Sequence, residues 1–155
     1  MFRSAFGLTF AILLALTGDA HGQQHMIRSF HALARAADAV VLGRCEVGTS
    51  AWEGTPSIII TRHQCSVERT FKGAPENQIT VAVLGGRVGD VSMGASAGAR
   101  ITPATDSVML LQRSAFGPYY VVTGGTAGLL PVVTVGSERT VRGMSLDAFA
   151  HAVQQ

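Results

Sequence analysis

A mainly β fold, a small five-stranded OB-like barrel with an N-terminal and a C-terminal helix, is what this 155-residue sequence predicts. Three observations lead there. Five short runs have strand composition, a helical period precedes the first and follows the last, and a long glycine-punctuated connection separates the third run from the fourth. A β-sandwich produces similar signals and is the alternative.

The elements follow in chain order. Over residues 26–37, Ile27, Phe30, Leu33, Ala34 and Ala37 recur at intervals of three and four while Arg28, His31 and Arg35 fall elsewhere, which predicts an amphipathic helix. Asp38 then precedes a run of strand formers over 39–47, whose second half alternates apolar with polar. The stretch 48–57 is rich in turn residues. A second strand is expected from Ile58 to Val67 and on towards Phe71, stopped by Lys72-Gly73-Ala74-Pro75. The third, Gln78–Leu84, carries Ile79, Val81 and Val83 on one face and ends at Gly85-Gly86. Residues 87–105 contain Gly89, Gly94, Gly98 and Pro103 with little periodicity, so they are expected as a long loop crossing between strands. Strands over 107–112 and 119–123 are joined through Gly117-Pro118. Short edge strands over 129–135 and 140–141 follow, and Ser145 is placed to cap a last helix with Leu146, Phe149 and Val153 on one side.

Residues 1–22 are expected to be a signal peptide rather than part of the fold. Arg3 supplies a positive charge, an apolar run of about a dozen residues follows, too short for the roughly 20 that span a bilayer, and Ala20-His21-Gly22 offers small residues before a cut at Gln23. Cleavage leaves residues 23–155 as one expected domain with its barrel core at about 37–128. The product is then expected in the periplasm or outside the cell, with no membrane span.

Composition narrows the function. The chain is 47% hydrophobic and 14% charged, with 18 glycines and 5 prolines, which fits a folded domain with many turns. Its formal charge is +2, and the positive residues, all Arg apart from Lys72, are scattered. Without a basic stripe or interleaved aromatics, nucleic-acid binding is not expected.

Two cysteines, Cys45 and Cys65, are present. A hairpin centred on Gly54 and Thr55 opposes residues whose numbers sum to about 110, which sets Cys45 against Cys65, Arg44 against Ser66 and Glu46 against Gln64. The same register puts Val41, Cys45 and Val47 on one face with Ile59, Cys65 and Val67. A cross-strand disulfide is therefore expected in an exported chain. Two free core thiols, or a metal site completed by His63, are the alternatives, the latter without an evident fourth ligand.

Gly94-Ala95-Ser96-Ala97-Gly98 fits the G-x-S-x-G nucleophile elbow, and Asp106 or Asp147 followed by His151 would complete an acid and a base in hydrolase order. No apolar strand precedes Ser96 and no helix pattern follows it, so the match lacks its context. The overlapping residues 89–96 approximate a phosphate loop, but Ala95 stands where its lysine is needed. His25, His31 and His151 form no ligand spacing. Trp52 and the pair Tyr119-Tyr120 are expected to cover one end of the barrel, or else to anchor an interface.

Ala37-Asp38-Ala39-Val40-Val41-Leu42-Gly43-Arg44 and Val67-Glu68-Arg69-Thr70-Phe71-Lys72-Gly73, followed by Gly85-Gly86, the apolar run 108–111 and the segment 119–128, share a pattern with known proteins. In order and spacing these pieces resemble a family of bacterial exported proteins, itself similar to the netrin-like domains of tissue metalloproteinase inhibitors. The resemblance covers about residues 37–128 and implies an OB-type barrel, not an activity. Animal inhibitors of that type chelate zinc through an N-terminal cysteine; the expected start here is Gln23, so no functional residue carries over.

The resulting expectation is an exported binding module without catalytic, cofactor-binding or metal residues, whose partner is an envelope or extracellular protein. A small serine hydrolase using Ser96 and a secreted protease inhibitor are the alternatives.

Overall fold

The computed structural model describes residues 30–94, 96 and 98–155. The expected signal peptide, and residues 26–29 of the expected first helix, lie outside them.

The elements are α1 (Phe30–Ala36), β1 (Ala39–Cys45), β2 (Thr49–Glu53), β3 (Ile58–Lys72), β4 (Gln78–Leu84), β5 (Gly86–Val88), β6 (Val91–Met93), β7 (Asp106–Arg113), β8 (Tyr120–Val122), a 3₁₀ turn (Gly125–Gly128), β9 (Leu129–Val135), β10 (Glu138–Val141), β11 (Met144–Ser145) and α2 (Leu146–Gln154). Strands β1, β3, β4, β8 and β7 hydrogen-bond in that order, and β7 returns to pair with β1. The ring is therefore closed, which decides for the barrel over the sandwich. All its ladders are antiparallel except β4–β8, which is parallel. The result is a five-stranded, mixed, OB-like barrel with one helix near each end of the described chain.

Beyond the ring, β9 continues along the β7 edge that β8 vacates, and β10 and β11 extend the sheet from it. Two expectations about local structure change. Residues 49–53, expected among turn residues, form β2, which prolongs the hairpin by pairing Trp52 with Ile59 and Thr49 with Arg62. Residues 86–93 form the small hairpin β5–β6 within the expected loop. The first is Thr-Ser-Ala-Trp-Glu and the second holds Gly86, Gly89 and Asp90, and a neighbour supplies the pairing that propensity does not. A side-chain relay fixes the second: the Arg87 amide donates to Ser50 Oγ, Ser50 Oγ pairs with Thr61 Oγ1, and Thr61 Oγ1 donates to the Gly85 carbonyl.

Apolar residues gather in two layers. Ala39, Val41, Cys45, Cys65, Ile79, Val81, Met109 and Leu111 fill the barrel. Val40, Leu42, Val108 and Leu110 point outward from β1 and β7 and pack with Leu33, Phe71, Phe149 and Val153 under the two helices. Strand β1 is buried on both faces, which explains why its first four residues form an apolar run rather than an alternation. The β1–β3 ladder shifts register twice, and the shift between Leu42 and Gly43 inserts Glu68, so alternation flips and Phe71 reaches the outer layer. There its ring meets Phe149 edge-on at 5.1 Å. Val47, expected with the barrel residues, is 79% exposed because β1 ends at Cys45.

The two motifs that carried the family resemblance meet at the end of α1. Lys72 Nζ donates to the carbonyls of Ala34, Arg35 and Ala37 at 2.8, 3.0 and 2.7 Å, which satisfies acceptors that a helix C-terminus leaves free. Gly73 follows with φ +81°, and a side chain there would collide with the Asp38 carbonyl. Asp38 in turn accepts the Arg113 amide at 2.8 Å through its carboxylate, tying the start of β1 to the end of β7. Ser145 caps α2 as expected, accepting from the Ala148 amide.

Candidate functional site

The cysteine register is as the sequence sets it. Cys45 faces Cys65, Arg44 faces Ser66, and the Glu46 amide donates to the Gln64 carbonyl. The two sulfurs form a disulfide, and both residues are buried inside the barrel. This removes both thiols from the expected alternative of a Cys-His-Cys metal site. His63, 6% exposed, instead bonds through Nδ1 to the Glu46 carbonyl at 2.9 Å. Among the described residues no three His, Cys, Asp or Glu side chains converge as metal ligands.

The two candidate hydrolase aspartates are held by other partners. Ser96 is exposed in the loop after β6, and its neighbours 95 and 97 lie outside the described residues. Asp106 pairs with Arg44 and Asp147 with Arg69, each at 2.8 Å. His151 is exposed on α2. No hydrogen bond among the described residues joins Ser96, His151 and either aspartate. Glu68 and Arg139 form a further bidentate pair at 2.7 and 3.1 Å. The hydrogen bond that Arg139 donates to Glu68 raises the Arg139 pKa above its ordinary value, outweighing the opposing effect of burial.

The concave site lies on the outer face of the barrel, away from the helices. The β3–β4 register pairs Cys65 with Ile79 and His63 with Val81 on the inner side. The intervening positions therefore face outward: Ile60 opposite Leu84, and Arg62 opposite Ala82. Across the parallel ladder Ala82 lies beside Val121, while Val81 lies beside Tyr120, which packs into the barrel. Ile58, Ile60, Ala82, Leu84 and Val121 thus make an apolar floor.

Two loops wall it. On one side is the β2–β3 tip, Glu53 to Pro56; on the other is the β7–β8 connection, with Ser114, Phe116 and Tyr119. Gly98, Ala99 and Gly125 close one end, tied together by the Thr126 hydroxyl donating to the Gly98 carbonyl. The groove encloses ≈ 820 Å³, inside the size range of small-molecule sites.

Its rim is electrically quiet. Glu53 is held by Arg62 in a two-point pair, Nη1 to Oε1 and Nη2 to Oε2, the second at 2.8 Å. The Arg62 guanidinium also lies 4.8 Å from the centre of the Tyr119 ring. The expected aromatic cover of the barrel end therefore divides: Tyr120 packs into the interior, Tyr119 lines the groove, and Trp52 is 45% exposed on β2. Phe116, 91% exposed, stands on the opposite loop without packing.

The sequence held a signal for this floor. Ile58-Ile59-Ile60 and Val81-Ala82-Val83-Leu84 are unbroken apolar runs, and a strand needs such a run only when both faces require cover. No helix among the described residues lies over the outward side chains here. No protein-family model, curated protein or solved structure matches the chain.

Proposed function

We propose that this protein is an exported binding module, not an enzyme, and that it seats its ligand in the outer groove of the barrel. The observation that carries the reading is the apolar floor of β3, β4 and β8 left open between two loop walls. OB barrels as a class bind on the face of their second and third strands, between the loop joining strands one and two and the loop joining strands four and five. Here β3 and β4 are the second and third barrel strands, and the walls are those two loops. Export is supported by the disulfide, which persists in oxidising compartments, and no described helix is long and apolar enough to cross a membrane. A netrin-like relationship belongs to the same reading and rests on the sequence motifs that contain Asp38, Lys72 and Gly73.

A protein partner is the second reading, favoured by Phe116, whose free ring has the character of an interface anchor. One experiment addresses occupancy whatever the occupant. Benzoylphenylalanine is placed at Phe116 in cells exporting the protein, with a control at Val135, itself 70% exposed on the β9–β10 hairpin. Irradiation is expected to give an adduct at position 116 and not at 135. No adduct at 116, or the same adduct at both, overturns the groove as a binding site. Fluorophosphonate labelling that depends on Ser96 would replace the reading with a hydrolase.

A further inference from the structure

We infer that the groove takes an uncharged, largely apolar small molecule, rather than the oligonucleotides and oligosaccharides that OB faces commonly hold. The inference rests on the groove being the binding site and concerns the chemistry of what enters it.

Charge is the first argument. A nucleic-acid strand needs cations along its path, and among the described residues the one charged group lining the groove is Glu53. Arg62, which the β3–β4 register places on that face, is already committed to both Glu53 oxygens and to the Tyr119 ring. An anion entering the groove would meet the Glu53 carboxylate and, in Arg62, a guanidinium already engaged. A cation would have to compete with Arg62 for Glu53.

Polarity is the second. A sugar carries hydroxyls around its whole ring edge and requires a matching set of donors and acceptors for them. Ile58, Ile60, Ala82, Leu84 and Val121 offer none, so each hydroxyl desolvated against them would lose its water without a replacement. Polar groups stand only at the walls, where the Ser114 hydroxyl and the spare acceptor capacity of Glu53 can orient a ligand by one or two hydrogen bonds.

Extent is the third. A protein interface commonly covers about 800 Å² per partner, which calls for an apolar patch extending beyond the groove. The other strongly exposed apolar residues, Val47, Val91, Val133 and Val135, stand elsewhere, and none lines it. The apolar surface is concave and confined, as for a small molecule.

A matched pair of probes tests the chemistry. N-Phenyl-1-naphthylamine and 8-anilino-1-naphthalenesulfonate share a ring skeleton and differ by one sulfonate. Fluorescence titration of the exported, oxidised protein is expected to show the uncharged probe binding at least about tenfold more tightly, the scale of one uncompensated charge in an apolar site. Leu84→Glu, at a half-exposed floor position, and Phe116→Ala, at the rim, are expected to weaken that binding, the first by at least about tenfold. Glu53→Gln, which releases Arg62, is expected to close the gap between the probes.

Equal or tighter binding of the sulfonate, still lost in Leu84→Glu, would leave the groove as the site and overturn the uncharged class. A protein adduct at position 116 with no probe binding would also overturn the small molecule while keeping the groove. Probe binding unchanged in both Leu84→Glu and Phe116→Ala would overturn groove and ligand class together.

Discussion

Two outer faces of the same barrel both carry apolar residues, yet among the described residues only one is covered. On β1 and β7 the outward residues Val40, Leu42, Val108 and Leu110 are fully buried beneath α1, α2 and Phe71. On β3, β4 and β8 the outward residues Ile58 and Leu84 are 37% and 47% exposed, and nothing in the described chain lies over them. The first face supports stability through packing. The second retains apolar surface that stability does not require, and that surplus is what points to a ligand.

The contrast is sharpest in a pair of truncations. Phe149, fully buried between Phe30 and Phe71, anchors the covered face. Phe149→Ala is expected to cost about 3–5 kcal/mol of unfolding free energy, whereas Leu84→Ala on the bare face should cost under about 1 kcal/mol because its side chain already meets water. Urea denaturation of both variants checks this, and similar losses would erase the distinction between the faces. Next in size is the disulfide. Joining residues 20 apart, it is expected to contribute about 3 kcal/mol, so the Cys45→Ala, Cys65→Ala double variant should unfold at a lower urea midpoint. Smaller again is Lys72→Met, which removes three charge-assisted bonds from the end of α1 and is expected to cost about 1–3 kcal/mol. Loss of helix α1 amide protection before the barrel strands in hydrogen exchange would place that damage on the covered face.

How much of this was legible in the sequence depends on which kind of signal each part used. The barrel strands and both helices were readable because periodicity is local, and the Cys45–Cys65 bridge followed from a hairpin register that the structure shares. Ser145 was recognised from its side chain alone as a cap. Strand β2 and the β5–β6 hairpin were not readable, since their residues form strands only in contact with β3 and with the Ser50–Thr61 relay. Val47 was misplaced because alternation says nothing about where a strand stops.

The groove was half legible. Apolar runs at 58–60 and 81–84 announced strands with two apolar faces, but which outward face receives a helix is decided by where the chain returns after β9, which no local pattern encodes. Ser96, Asp106, Asp147 and His151 show the converse: hydrolase order along the chain, while in space the two acids pair with Arg44 and Arg69.

The claim that the bare face is kept for a ligand is tested most directly by the urea midpoint of the intact protein with and without saturating N-phenyl-1-naphthylamine. A ligand that binds only the folded chain adds roughly 2.7 kcal/mol at a concentration one hundred times its Kd. The account predicts a higher midpoint that falls back to the ligand-free value in Leu84→Glu. An unchanged midpoint in the intact protein, or an equal rise in Leu84→Glu, would contradict it.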